Sequence, residues 1–300
     1  MLFDRSELPA FLSILRMGSV GRAADALAVS QPALSRTLRR LEARLGAQLF
    51  VRHSTGMELT AFGRALQPHA ELIESETRRT REEIDALKGS SKGLVRVGVV
   101  PSISSNVLPL AVSSAYARSP NIRIHVVEDT GTRLVAALVR GDIDFAITGL
   151  WREPIDENIT VTPLFEDEVC VMGRWAHPIS SGVSLKDLQA YPWAMPEKGN
   201  IIRDEFHLMF RRAGLTPPSV AVEANSVHAL KSVVADTDFL TMLARATFRL
   251  EEKAGLLRAM PIAEGHWRRQ LGILRRSTGR LLPAASMLYT NIRRIASSLD

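Results

Sequence analysis

The feature that most restricts this chain is a leucine stripe: Leu34, Leu38, Leu41 and Leu45 recur at i, i+4, i+7 and i+11. At about 100° per residue these four share one helix face, and that face has to be buried. Ser30 is a natural N-cap for a helix starting at Gln31. Pro32 is tolerated there because first-turn amides have no intrahelical partner. Pro32, Ser35, Arg36, Arg39 and Arg40 fall on the flank and back of the stripe. The predicted helix therefore turns an arginine–serine face to solvent.

Two short helices precede it. The first runs from about Ser6 to Arg16, with Leu8, Phe11, Leu12 and Leu15 inward, and Gly18 ends it. The second, Gly21 to Ala28 with Ser19 as cap, carries Ala23, Ala24 and Leu27, whose small side chains let the next helix cross closely. Ala28-Val29-Ser30 makes the turn. A helix with exposed arginines, placed second in a helix–turn–helix, is suited to a DNA major groove. Arginine bonds guanine edges in bidentate fashion, and Ser30, Gln31 and Ser35 are within reach of bases or phosphates. Residues 16–58 carry seven arginines against three acids, a local excess of +4 within a chain of net charge +6. Downstream, Leu49–Arg52 and Glu58–Thr60 flank His53-Ser54-Thr55-Gly56, a hairpin-like wing with Arg52 placed for a phosphate.

These residues carry a family resemblance. Ser19-x3-Ala23-Ala24-x2-Leu27-x-Val29-Ser30-Gln31-Pro32-Ala33-Leu34-Ser35-Arg36 resembles the helix-turn-helix of LysR-type regulators. So does its continuation, Leu41-Glu42-x2-Leu45-Gly46-x2-Leu49-Phe50-x-Arg52, then Leu59-Thr60-x2-Gly63. Val20 and Val51 depart from the commoner residues. The resemblance implies a winged helix-turn-helix over 1–60 (helix-turn-helix about 19–40), with DNA contacts at Gln31, Pro32, Ser35, Arg36 and Arg52. The partner it implies is a double-stranded promoter operator.

Residues 60–87 read as one helix of about 42 Å at 1.5 Å per residue. Phe62, Leu66, Ala70, Ile73, Thr77, Ile84 and Leu87 form a narrow apolar stripe among Glu and Arg, and Pro68 should bend it. Such a helix needs a partner stripe. Pairing between subunits through Phe62, Leu66, Ile73, Ile84 and Leu87 is the expectation for this linker segment (60–90), giving a homodimer or homotetramer. Lys88 to Gly93 reads as a glycine/serine linker.

From Leu94 onward, β-branched runs (94–100, 122–128, 143–148, 168–173, 219–224, 239–243) alternate with helical segments, the pattern of parallel sheets with crossover helices. Gly93–Gly98, Gly141–Ile147 and His177-Pro178 are similar to LysR effector domains. That likeness implies a periplasmic-binding-protein-like domain over 92–300: two α/β lobes joined by crossing strands near 160–164 and 262–268. Lobe I is then about 94–161 with 268–300, and lobe II about 162–267. Ligands of open sheets sit beyond strand C-termini, facing helix N-termini. Ser102, Ser104, Thr130, Thr132, Thr148, Asn200 and Ser226 fall at such points, and Ser102, Thr148 and Asn200 match the family's effector contacts. A polar, mostly uncharged ring of this kind suits a small carboxylate or other anion. Asp236 and Asp238 would oppose an anion if they pointed inward. The later cluster Arg268, Arg269, Arg275, Arg276 and Arg280 reads as solvated surface.

Other function classes are disfavoured. The chain has no GxGxxG, P-loop, GxSxG, HExxH or CxxC, and its seven histidines are scattered, so neither enzyme, cofactor nor metal is expected. The lone cysteine, Cys170, excludes an internal disulfide switch. No run of 18 apolar residues is present, and the N-terminus lacks the pattern of a signal peptide, so the expected location is cytoplasmic, without a membrane partner.

Overall fold

The computed structural model describes residues 3–88, 93–150, 157–179, 184–262 and 266–298. The chain divides into two compact units, the first running to residue 91 and the second holding nearly all that follows.

The first unit contains α1 (Glu7–Met17), α2 (Val20–Ala26), α3 (Gln31–Leu45), β1 (Phe50–His53), β2 (Gly56–Leu59) and α4 (Ala61–Leu87). Phe11, Leu12, Ile14, Ala23, Ala24, Leu34, Leu38 and Leu41 form its core, so the leucine stripe is buried against α1 and α2. The second helix is shorter than expected. It ends at Ala26, and Ala28 takes φ 53° in the turn, a left-handed conformation that alanine rarely adopts. Ser30 caps α3, its Oγ accepting from the Ala33 N–H at 3.4 Å. The wing closes with a two-residue turn, His53 opposite Gly56. Gly56 is required there: φ is 142°, and a Cβ would lie 2.6 Å from the Gly18 carbonyl oxygen, which the Met57 N–H already uses. Helix α4 runs without interruption through Pro68. Most of the expected glycine/serine linker, residues 89–92, lies outside the described residues.

The second unit contains β3 (Leu94–Val99), α5 (Pro101–Ser105), α6 (Val107–Arg118), β4 (Arg123–Glu128), α7 (Gly131–Arg140) and β5 (Phe145–Gly149). There follow β6 (Ile159–Arg174), β7 (Trp193–Met195), α8 (Ile201–Arg212), β8 (Val220–Glu223), α9 (Val227–Ala235) and β9 (Thr241–Ala244). Last come α10 (Arg249–Lys253), β10 (Leu257–Ala259), β11 (His266–Arg276) and α11 (Pro283–Ala296). The main sheet has the order β10-β6-β11-β5-β3-β4, with β9 also on β6. It is mixed rather than wholly parallel: β3 pairs in parallel with β4 and β5, whereas β6 and β11 are antiparallel along their length. These two long strands are the crossing pair. Their pairing carries a register shift between Gln270 and Gly272, opposite Glu166 and Pro163. Of the second expected crossing, 262–268, residues 263–265 lie outside the described residues. Beyond the shift, β7 and β8 form a parallel pair, and Trp193 packs on Phe206 and Phe210 of α8 with ring centroids 4.7 and 6.0 Å away. Short β7 and β10 escaped the sequence reading because three residues carry too little periodicity.

Candidate functional site

The arginine face of α3 forms as its spacing requires. Gln31, Pro32, Arg36, Arg39 and Arg40 are exposed and Ser35 is half-buried, while Arg52 is exposed on β1. None of these four arginines forms an ion pair among the described residues, so their charge is not spent inside the unit. Ser30 is committed to its cap. Arg44, one turn beyond Arg40, behaves differently: it reaches Asp4 at 2.9 Å and Glu7 at 3.4 Å, and Glu7 is buried. That clamp fixes the end of α3 to the start of α1. At the other side Glu42 accepts the Leu49 N–H at 2.8 Å, which ties α3 to the wing. Helix and wing are thereby held in one rigid arrangement, the condition for reading a groove.

The expected seam residues on α4 do not share one fate. Phe62, Ile73, Ile84 and Leu87 are exposed, but Leu66 is buried in the core of its own unit beside Ala70. The stripe is therefore divided between an internal contact and a free face. Leu66 is corrected from a seam residue to a core residue.

In the second unit a cavity of about 340 Å³ opens where β3, β4 and β5 end, facing the starts of α8 and α9. Ser102, Thr130, Thr148, Asn200 and Ser226 line it, as does Thr132. Ser104 does not. Ser102 and Ser104 lie two residues apart on α5, about 200° around the helix, so they cannot face the same space; the Ser104 Oγ is buried without a partner among the described residues. Asn200 and Ser226 also cap their helices: Asn200 Oδ1 accepts from the Ile202 N–H at 3.0 Å and Ser226 Oγ from the Ala229 N–H at 3.2 Å. Asp236 and Asp238 stay out of the cavity, and Asp238 is engaged by Arg174 at 2.7 Å. The acids on its rim are instead Glu128 and Asp129.

Arg269 is the residue that sequence reasoning misplaced. Assigned to a solvated basic cluster, it is 7% exposed and lines the cavity. Its Nε and Nη2 donate to Oδ2 of Asp167 at 3.2 and 2.9 Å, and Nη2 also donates to Ser102 Oγ at 3.3 Å. The pairing of β11 with β6 places Arg269 directly opposite Asp167. Only that long-range register reveals the role; the alternation of a charged run does not.

Two further side chains are settled by burial. Burial pushes the Cys170 thiol up to about 12, which leaves it a neutral hydrophobe. Burial likewise holds His177 below the usual histidine range. The Ile179 N–H donates to His177 Nδ1, so Nε2 carries the proton and donates to the Asp238 carbonyl. No cluster of potential metal ligands occurs among the described residues, and no helix there is long and apolar enough to cross a membrane.

A profile described as "LysR substrate binding domain" matches residues 88–296, and one described as "Bacterial regulatory helix-turn-helix protein, lysR family" matches 6–64. This chain belongs to the LysR family. It is a transcriptional regulator with a helix-turn-helix DNA-binding domain and an effector-binding domain. Among curated relatives, the regulator GalR of Pseudomonas putida is 28% identical over 295 residues, covering 98% of this chain and 74% of that protein. The SDS degradation transcriptional activation protein of a Pseudomonas strain is 28% identical over 291 residues, covering 95% and 94%. Among solved structures, full-length CbnR complexed with its target DNA superposes with a TM-score of 0.69 at 20% identity, covering 98% of this chain and all of that one. Full-length OxyR from Pseudomonas aeruginosa gives 0.66 at 22% identity, covering 96% and 97%. At these identities the structural likeness speaks to the fold.

Proposed function

We propose that this LysR-family regulator reads a promoter operator through Gln31, Pro32, Ser35, Arg36, Arg39 and Arg40 of α3, with Arg52 of the wing on the phosphates. Its response is set by a small carboxylate or other anion in the cavity lined by Ser102, Thr130, Thr148, Asn200 and Ser226. It acts in the cytoplasm as a homodimer or homotetramer joined along Phe62, Ile73, Ile84 and Leu87 of α4, and it catalyses no reaction. The domains proposed are 1–60, 60–90 and 92–300, with the lobes exchanging at the register shift of β6 and β11.

The observation that carries this reading is the unpaired arginine face on α3, rigidly held by Arg44 and Glu42. Its three guanidiniums, with that of Arg52 on the wing, have no carboxylate partners among the described residues and suit a polyanion better than a protein core. The cavity supports the ligand half, being lined by the hydroxyl and amide side chains of Ser102, Thr130, Thr148, Asn200 and Ser226 and by neither histidine nor cysteine. Selection of duplexes from a random pool by the full chain, followed by a thermal-shift screen of small metabolites, tests both halves. Enrichment of no motif would overturn the operator assignment. Ligands that leave the melting midpoint unmoved would overturn the cavity assignment, because a molecule selective for the folded state raises it by mass action.

A further inference from the structure

We infer that Arg269 is the anion receptor of the cavity and that Asp167 restricts it to ligands with a single negative charge, specifically hydroxyl-bearing monocarboxylates. This rests on the proposal that the cavity holds the effector.

Arg269 is a buried guanidinium whose Nε and Nη2 are already directed at Asp167 and Ser102. The remaining Nη1 lies beside Gly149: a Cβ built there would sit 3.8 Å from it. Gly149 thus leaves space around the one nitrogen of Arg269 not aimed at protein. Next to it, Thr148 lines the cavity and is 1% exposed. A ligand oxygen seated beside it can accept from its hydroxyl. Arg269 Nη1 and Thr148 Oγ1 together offer two donors to one carboxylate, from adjoining strands β11 and β5.

The charge limit follows from the neighbours. Asp167, 5% exposed, already balances Arg269. The other cation on the cavity, Arg133, faces Asp129 at 3.6 Å, and Glu128 stands on the same rim. Among the described residues these five groups sum to −1, so a second ligand carboxylate would meet acids with no further described cation to offset them. The rest of the wall is rich in hydroxyl and amide groups, including Thr130, Asn225, Ser226 and Thr247, which suits hydroxyls on the ligand.

The test uses the full chain and three probes of one skeleton at fixed ionic strength: lactate, its neutral isostere lactamide, and the dianion malate. Calorimetric titration should rank lactate above both others by at least tenfold. The double variant Arg269→Gln, Asp167→Asn replaces the ion pair by a neutral hydrogen-bonded one and should fold as the parent does. It should bind lactate and lactamide alike. Asp167→Asn alone should raise malate binding at least tenfold. Equal binding of lactate and lactamide by the parent, or a lactate preference that survives the double variant, overturns the role of Arg269. Ala224→Trp, which fills the cavity, separates the two levels. Lactate binding lost in Ala224→Trp but indifferent to Arg269 leaves the cavity assignment standing, whereas binding that survives Ala224→Trp overturns both. Absence of any lactate binding also overturns the inference.

Discussion

Leu66 and Ile73 lie two turns apart on the same side of α4, yet Leu66 is 9% exposed in the core of its own unit and Ile73 is 42% exposed. One helix thus serves first as part of the DNA-binding unit and then as a free apolar face.

That division separates two variants that sequence spacing treats as equivalent. Ile73→Asp should lower the oligomeric state in sedimentation while the melting midpoint of the dissociated chain stays near that of the parent. DNA affinity should fall because two half-sites are no longer held together. Leu66→Asp should instead destabilise the DNA-binding unit by about 3 kcal/mol or more, since it buries a charge without a partner. An Ile73→Asp protein with unchanged sedimentation would place the subunit contact elsewhere.

The two classes of arginine make a second separation. Arg36, exposed at the start of α3, should cost about 1–3 kcal/mol on the specific duplex when changed to alanine, and relax preference at one position. Arg52, on the wing, should weaken specific and random duplexes about equally and flatten the salt dependence by one counterion. Binding measured on both duplexes across a salt series distinguishes them. Loss of specificity to the same degree in both variants would contradict the assignment of roles.

The contrast between these units explains what sequence could reveal. The helix-turn-helix was legible because its determinants are local: a stripe at helical spacing, the Ser30 cap, and glycines at positions 18, 46 and 56. The α/β alternation was legible too, and all but Ser104 of the hydroxyl and amide residues named from sequence line the cavity, because strand ends and helix starts follow from pattern. What failed depended on distance or on local winding. Arg269 is buried by a strand partner 102 residues away in sequence. Ser104 was read as following a strand, but the chain winds into α5 and turns it aside. Leu66 shares its stripe with Ile73, and only the tertiary packing of the unit's core sets them apart.

Cys170 supplies a third prediction. With its thiol pushed up to about 12 by burial, almost none is thiolate at pH 8, and the side chain is fully buried. Iodoacetamide should leave the native chain unmodified over hours by mass spectrometry, and label one site once denaturant is added. Ready labelling of the native chain would show that β6 opens far more often than its full burial implies.

The last prediction concerns His177, which joins β6 to the segment before β9. Burial is the largest cause of its lowered pKa. Arg174 and Arg258 add repulsion, and the Asp238 carbonyl and carboxylate partly offset both. Protonation would also remove the acceptor that Nδ1 offers to the Ile179 N–H. In the unfolded chain the group titrates near its ordinary value of about 6.5. Because the folded value lies lower, the unfolded state binds the proton first. The stability due to neutral His177 is therefore complete above pH 6.5 and is lost as pH falls through the folded value. His207, also lowered by burial and by the Arg203 it accepts from, adds to the same slope. Melting midpoints should be level between pH 7 and 8 and decline below 6.5. His177→Asn, which keeps an acceptor but cannot titrate, should lower stability at pH 7.5 yet reduce the decline between pH 6.5 and 5. Parallel curves for the parent and His177→Asn would show that His177 does not cause the acid sensitivity, and would assign it to His207 and the carboxylates.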